Sequence, residues 1–229
     1  SALIASALHR DKVYIWHTDT GECTQVLEVP DRPRYKYSPT RSVTFSHDST
    51  LVLAISNYPD IIQIWRTDTG KPTQKLEGHK RVESAVFSRN SAFVVSASND
   101  QIRVWSTNTG DCVRVVPTGG WDVRLLSTEP GNLTSEPGNL ISDLSSTCIV
   151  TDTGVVAFTD SATTLTTVGI GLSRDRCWIT WNDQKLLWLP VEFRYGETAV
   201  RGSTVVIGCD SGRLIVFRFS ETALRLIYG

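Results

Sequence analysis

The sequence predicts an all-β protein built from repeated units of four short strands. Its main sign is a motif of β-type residues, a tryptophan and a turn, found at 13–23, 62–72 and 102–112. The second observation is the period, because Trp16, Trp65 and Trp105 stand 49 and 40 residues apart. A repeat near 40 residues made of short β-type runs is typical of a β-propeller or a solenoid. Because such folds present extended surfaces, the pattern favours a binding protein.

The third copy of the motif shows all four strands of one unit. Its runs of β-type residues are 82–88, 92–98, 101–105 and 112–116. Turn-forming residues separate these runs, which is typical of short antiparallel strands. Four strands per unit indicate the blades of a β-propeller. At about 40 residues per blade, a chain of 229 residues holds about five to six blades.

The second copy contains the same four runs, whereas the first copy lacks one of them. In the second copy the runs are 42–46, 51–56, 62–65 and 73–76. The first copy starts with its second strand at 3–6, so the innermost strand of that blade is missing. The chain also contains no methionine. We therefore expect a piece of a longer protein, with a propeller that is incomplete at its N-terminus.

Beyond residue 117 the repeat becomes irregular. Hairpins are predicted within 148–158, 176–189 and 204–219, each around a turn of Asp, Asn, Ser or Gly. At the same period these hairpins amount to roughly three degenerate blades. We expect one propeller segment over 1–229, in which 1–117 holds the regular repeats and 118–229 the degenerate ones.

Gly78-His79, Asp100 and Trp105, at these spacings, resemble a WD-repeat β-propeller. The resemblance implies a hydrogen-bonded tetrad formed by His79, Ser96, Asp100 and Trp105. The tetrad is physically reasonable, because a buried His and a buried Trp N–H need partners and a turn carboxylate supplies one. The other two copies keep only part of it, and their repeat anchors are Asp11, Trp16, Asp60 and Trp65. Unlike the usual family motif, none of the three tryptophans is followed by Asp.

The C-terminal part resembles a narrower group. Segments 173–181, 186–194 and 205–219 are similar to the terminal blades of fungal NACHT–WD-repeat proteins, which are STAND-type NTPases of the vegetative-incompatibility kind. The sequence at 19–28 is also similar to this group. This resemblance implies a ligand-sensing or regulatory module in the cytoplasm, with an NTPase domain upstream on the same polypeptide. The segment itself has no Gly-rich loop followed by a Lys-Ser/Thr pair, so it carries no nucleotide motif of its own.

Composition and motifs argue against a nucleic-acid-binding protein, a membrane protein, a disulfide-rich protein and an enzyme. The net charge of −1 creates no general field for nucleic acid or an anionic membrane, and no apolar run reaches roughly 18 residues. Five scattered cysteines favour reduced thiols, as in a cytoplasmic protein, over a disulfide framework. The sequence offers no regularly spaced ligand set and no nucleophile elbow. It therefore predicts no metal, no cofactor and no catalytic residue.

Loops supply the candidate contact residues for a partner. The stretch 31–37 mixes cations with aromatic side chains, which suits stacking on bases or gripping an acidic peptide, although a solvated insertion has the same composition. The family resemblance places this loop on the same face as the turns that precede the repeated Asp. The predicted partner surface consists of Arg10, Arg34, Tyr35, Tyr37, Tyr58, Lys80, Arg81 and Asn99.

We interpret the chain as a protein-interaction module without catalytic activity. Two alternatives remain open at the level of the sequence. A catalytic propeller of the hydrolase or quinoprotein type would need convergent carboxylates and histidines, for which the sequence offers no candidate set. A structural remnant without a partner is compatible with the degenerate blades.

Overall fold

The computed structural model describes residues 2–8, 12–29, 40–57, 60–120, 123–130, 147–158 and 165–228. Within these ranges almost all regular structure is antiparallel β-sheet, which confirms the predicted all-β fold class. The chain divides into two compact units, Ser1–Gly120 and Trp121–Gly229.

Unit 1 contains three sheets whose strands pair in chain order. Sheet 1 is formed by β1 (Leu3–Leu8), β2 (Lys12–His17) and β3 (Cys23–Glu28). Sheet 2 is formed by β4 (Ser42–Phe45), β5 (Leu51–Asn57), β6 (Asp60–Arg66) and β7 (Pro72–Glu77). Sheet 3 is formed by β8 (Ser84–Phe87), β9 (Phe93–Ala97), β10 (Gln101–Ser106) and β11 (Cys112–Pro117). Sheets 2 and 3 therefore have the four strands of a propeller blade.

The repeated sequence gives repeated local geometry. Each outer strand has the same burial pattern, in which only the fifth residue is fully buried, namely Leu27, Leu76 or Val116. Each sheet also has an irregularity in strand pairing immediately before its tryptophan. Such bulges locally increase strand twist, and they lie here at equivalent points of the three sheets.

The core of unit 1 lies between consecutive sheets. Between sheets 1 and 2, the buried residues are Val13, Ile15, Leu27, Val29, Val52, Ala54 and Trp65. Between sheets 2 and 3, they are Leu53, Ile55, Ile62, Ile64, Leu76, Val82, Ala85, Phe87, Val94 and Trp105. In both layers the tryptophan side of one sheet packs against an aliphatic side of the sheet that precedes it.

Glutamine side chains connect the outer strand of one sheet to a turn of the next. Gln25 Nε2 donates to the carbonyl of Asp68 at 3.0 Å, and Gln74 Nε2 donates to the carbonyl of Asn108 at 2.7 Å. Each amide lies directly over a turn glycine with positive φ, Gly70 or Gly110. The positive φ favours glycine there, and a Cβ would come within 2.6–2.7 Å of the amide oxygen, so the glutamine side chain would have to shift.

Unit 2 contains a six-stranded sheet, a three-stranded sheet and a helix. The larger sheet is formed by β12 (Leu125–Pro130), β13 (Thr147–Thr151), β14 (Gly154–Phe158), β15 (Leu165–Leu172), β16 (Trp178–Trp181) and β17 (Gln184–Trp188). A single 3₁₀ turn at Val191–Phe193 precedes the smaller sheet of β18 (Thr198–Arg201), β19 (Thr204–Gly208) and β20 (Leu214–Arg218). The helix α1 is Glu221–Tyr228, and its Leu224 joins the core formed by Ile170, Leu172, Ile179, Trp181, Leu189, Val200, Val205 and Ile207.

The hairpins predicted for unit 2 are present as β13–β14, β16–β17 and β19–β20. Other elements differ from the prediction. The sequence pattern did not reveal β15, β18 or α1. The larger sheet also joins six strands where the repeat predicted blades of four.

Replacing Gly110 by Ala tests the glutamine contact. Gly110 (φ +78°) and Gly21 (φ +70°) have similar backbone angles, but a Cβ at Gly110 meets Gln74 Oε1 at 2.7 Å and a Cβ at Gly21 meets nothing within 4 Å. We expect Gly110→Ala to lower the free energy of unfolding by about 1 kcal/mol more than Gly21→Ala, because only the former displaces a hydrogen-bonded amide. Urea unfolding of both variants measures the difference, and equal losses would contradict the contact.

Candidate interaction surface

A buried hydrogen-bond network crosses sheet 3 and ends at a surface turn. Trp105 Nε1 donates to Ser96 Oγ at 2.8 Å, and Ser96 Oγ lies 2.8 Å from His79 Nδ1. His79 Nε2 lies 2.9 Å from Ser98 Oγ, which donates to Asp100 Oδ1 at 2.5 Å. The structure thus brings all four predicted tetrad residues into one network, with Ser98 inserted between His79 and Asp100.

The donors and acceptors fix one arrangement of protons. The Asp100 carboxylate can only accept, so the Ser98 hydroxyl donates to it and accepts the proton that His79 Nε2 carries. In the neutral imidazole Nδ1 is then the acceptor, and Ser96, which accepts from the indole, donates its own hydroxyl to it. The histidine is neutral in this arrangement. Its side chain is 2% exposed, and burial, together with the charge of Arg103, lowers its pKa to about 4.

The network holds the turn between β9 and β10 in place. Ser98 is bound from one side by His79, and Thr118 binds the turn from the other by donating its hydroxyl to the carbonyl of Asn99 at 2.7 Å. Asn99 and Asp100 themselves are exposed. The Ser98 hydroxyl lowers the pKa of Asp100, so this turn presents a carboxylate that stays ionised at neutral pH.

Three residues of the predicted partner surface fall within the described structure. Lys80 and Arg81 follow His79 directly and are exposed, and Asn99 is exposed beside Ser98. Because His79 contacts Ser98, the two segments that carry these side chains are adjacent. Arg81 has a φ of +52°, an unusual backbone angle for a residue other than Gly. The other five predicted residues lie outside the described residues, namely Arg10, Arg34, Tyr35, Tyr37 and Tyr58.

Ser98 was missed by reasoning from the sequence, although a signal for it exists. The pattern Ser-x-Asp/Asn recurs at tight turns, where the serine hydroxyl donates to the carboxylate or amide two residues later. It is seen at Ser46–Asp48, Ser88–Asn90, Ser98–Asp100 and Ser173–Asp175. At Asp48 this bond contributes most to a pKa of about 2. The motif marks serines that hold blade turns in both units.

In sheets 1 and 2 the equivalent tryptophans and aspartates form at most part of the hydrogen-bond network that is seen in sheet 3. In sheet 1, Trp16 Nε1 donates to Ser6 Oγ at 3.0 Å, which repeats the Trp105–Ser96 bond. In sheet 2, the strand register places Ala54 where the serine would stand, and Trp65 is buried at 1% exposure. Asp60 begins β6 and pairs with Asn57. Asp11 lies outside the described residues.

The described residues were also compared with the requirements of a metal site and of a membrane-spanning helix. No three or more His, Cys, Asp or Glu among them are grouped so that they could hold a metal ion. The helices in the same part of the chain are too short or too polar to cross a membrane. Within the network around His79, Ser96 and Ser98 each accept one hydrogen bond and donate another.

Comparison with known proteins assigns the segment that holds the network. Residues 70–106 match the model of the WD domain, G-beta repeat. This segment of the chain is similar to one WD repeat. It runs from the turn at Gly70 to the end of β10 and includes His79, Ser96, Ser98, Asp100 and Trp105. The predicted resemblance to WD-repeat propellers is confirmed.

A second comparison finds similarity to a fungal protein. Over 51 residues the chain is 45% identical to the vegetative incompatibility protein HET-E-1 of Podospora anserina, a NACHT–WD protein. The match covers 22% of this chain and 4% of HET-E-1. Because the match spans so small a share of that protein, it shows similarity over those 51 residues and no more. WD repeats imply a scaffold role in protein interaction.

The buried His79 predicts a stability loss in acid. Between pH 6.5 and about 4 the unfolded chain binds a proton at this residue that the folded chain does not, so stability falls as the pH falls through this window. The full difference corresponds to about 3 kcal/mol. We expect His79→Asn to flatten this slope in urea unfolding at a series of pH values. Parallel slopes for wild type and His79→Asn would contradict the prediction.

Proposed function

We propose that this chain is a protein-binding module without catalytic activity, and that it contacts its partner through the surface around Lys80, Arg81 and Asn99. The observation that carries the proposal is the link from His79 through Ser98 to the exposed turn. A turn fixed by a buried network loses little conformational entropy on binding, which favours affinity. Arginine is also enriched at protein interfaces, and Arg81 is exposed beside this turn.

We further propose that the partner acts in a fungal NACHT–WD type of signalling, with the WD segment controlling an NTPase domain of the same polypeptide. The support is the 45% identity with HET-E-1 over 51 residues. The five free cysteines fit a reducing compartment, and we propose a cytoplasmic location. The near-neutral net charge of −1 favours a protein partner over a nucleic acid or a membrane.

Reversing a charge on this surface tests the proposal. Arg81→Glu and Arg89→Glu make the same charge change on sheet 3, but Arg89 lies in the β8–β9 turn, at the opposite end of the sheet from Asn99. We expect Arg81→Glu to weaken partner binding at least tenfold, which corresponds to about 1.4 kcal/mol. The Arg89→Glu variant should bind like the wild type.

The partner can be identified in the same experiment with a photo-crosslinking amino acid. We expect the reagent at Asn99 to crosslink to one protein, and the same reagent at Arg89 to give no such product. Mass spectrometry of the product shows whether the partner is an NTPase domain. Crosslinks at Arg89 in place of Asn99, or binding that Arg81→Glu does not weaken, would contradict the proposed surface.

A further inference from the structure

Unit 2 contains a cleft that shares no residue with the partner surface proposed above. Its volume of about 510 Å³ lies within the range of about 300–1,000 Å³ that is usual for small-molecule sites. The larger sheet contributes Trp181 to its lining, the smaller sheet Val200, and helix α1 Glu221 and Arg225. All the residues that line the cleft belong to unit 2, so the argument below does not depend on unit 1.

The lining contributed by the larger sheet is mostly apolar. Val155 pairs with Val168 across β14 and β15, and Ile170 pairs with Trp181 across β15 and β16. Ile170 and Trp181 are 2% and 6% exposed, whereas Val168 is 44% exposed. A ligand in the cleft would therefore remove the Val168 side chain from water, which favours the binding of an apolar group.

Asn182 is a hydrogen-bond donor that is held in place beside this apolar wall. Its backbone N–H donates to the carbonyl of Gly169 at 2.9 Å, and its Oδ1 accepts from the Gly169 N–H at 2.8 Å. Since the side-chain oxygen is used in this way, the NH₂ group of the amide can donate to an acceptor in the cleft. The two bonds fix Asn182 before a ligand binds, which lowers the entropic cost of binding.

Glu221 and Arg225 place opposite charges at the cleft. Leu224 packs into the core of unit 2, and beside it Arg225 Nη2 lies 4.0 Å from Glu221 Oε2, one helical turn away. The side chain of Arg225 is 73% exposed and that of Glu221 is 48% exposed, so the attraction between them is weak. Both groups can therefore pair with charges of a ligand at little cost.

We propose that this cleft binds a free α-amino acid with an apolar side chain. Such a molecule carries an ammonium and a carboxylate on one carbon, so it can pair with Glu221 and Arg225 at the same time. The NH₂ group of Asn182 is a further donor for the carboxylate, and the apolar wall around Trp181 takes the side chain. A ligand with a single charge would pair with only one of the two helical residues, which favours an amino acid over a simple acid or amine.

L-Phenylalanine is the probe for the test, because an aromatic ring suits a wall that contains an indole. Two of its derivatives keep the ring and lose one charge. N-Acetyl-L-phenylalanine lacks the ammonium, like the C-terminal residue of a peptide, and L-phenylalaninamide lacks the carboxylate, like the N-terminal residue. We expect L-phenylalanine to bind about tenfold more tightly than either derivative, so the comparison separates a free amino acid from the end of a peptide.

The indole N–H of Trp181 supplies a readout at the site. Trp16 and Trp105 donate their indole N–H to serines, whereas Trp181 Nε1 has no acceptor within the described part of the chain. In proton–nitrogen correlation NMR spectra, the Trp181→Phe variant assigns this resonance. We expect L-phenylalanine to shift it saturably and to leave the resonance of Trp105 unchanged.

Substitutions on the helix and on the apolar wall test the proposed contacts by calorimetric titration. Arg225→Gln and Glu221→Gln should each weaken the binding of L-phenylalanine about tenfold. Arg218→Gln is the matched control, because Arg218 is exposed on β20 and does not line the cleft. Val168→Trp should block the cleft, whereas Val216→Trp, at a position that is 52% exposed and outside the cleft, should bind like the wild type. Because all of these side chains are exposed, each variant should keep the wild-type midpoint of urea unfolding.

Three results would overturn the proposal. If L-phenylalanine causes no saturable shift of the Trp181 resonance in the millimolar range, the cleft does not bind this class of ligand. Equal binding of N-acetyl-L-phenylalanine or of L-phenylalaninamide would assign the cleft to one end of a peptide. Binding that survives Val168→Trp would place the ligand elsewhere on the chain.

Discussion

Face-to-face packing between consecutive sheets is the interaction on which unit 1 depends. Trp65 and Trp105 are each buried against the aliphatic side of the preceding sheet. Burial of one large apolar side chain is worth about 2–3 kcal/mol, more than a typical net hydrogen bond. The polar contacts between sheets follow from this packing, because it brings the side chain of Gln74 within reach of the next turn.

The hydrogen-bond network around His79 connects this packed core to an exposed turn of defined structure. A buried imidazole without partners would destabilise the fold, but here both ring nitrogens are hydrogen-bonded to serines. The last member, Asp100, is exposed and charged, so the network extends from a buried indole to the solvent. The exposed turn is thereby tied by hydrogen bonds to the core beneath it, and a surface fixed in this way loses little conformational entropy on binding.

Local periodicity explains why much of unit 1 could be predicted from the sequence. The strands of sheets 2 and 3 follow from spacing within one repeat, whereas the grouping of His79, Ser96 and Trp105 was implied by the resemblance to WD-repeat propellers. Ser98 was not predicted, because the Ser-x-Asp/Asn pattern that it shares with other turns does not encode its contact with His79.

In unit 2 the pattern is obscured by glycines that the packing requires. A Cβ at Gly154 would come within 2.9 Å of the Cα of Gly171, so β14 and β15 approach too closely for larger residues. Gly171 also weakens the strand signal of β15, which is why that strand was missed. The helix α1 was missed for another reason, since a helix of eight residues gives little periodicity and its Leu224 is stabilised by tertiary packing.

The contacts between neighbouring sheets use the same pair of groups at each junction, an amide from an outer strand and a backbone carbonyl from a turn. The carbonyl is present whatever the side chain, as Asp68 and Asn108 show. Removing one whole repeat would therefore place Gln25 opposite an equivalent acceptor, and duplicating a repeat would create another junction of the same kind. A gene that encodes such an array can change length by recombination between its copies and still produce matched junctions. Shorter insertions within a strand would disrupt the junction, since they shift the strand register on which it depends.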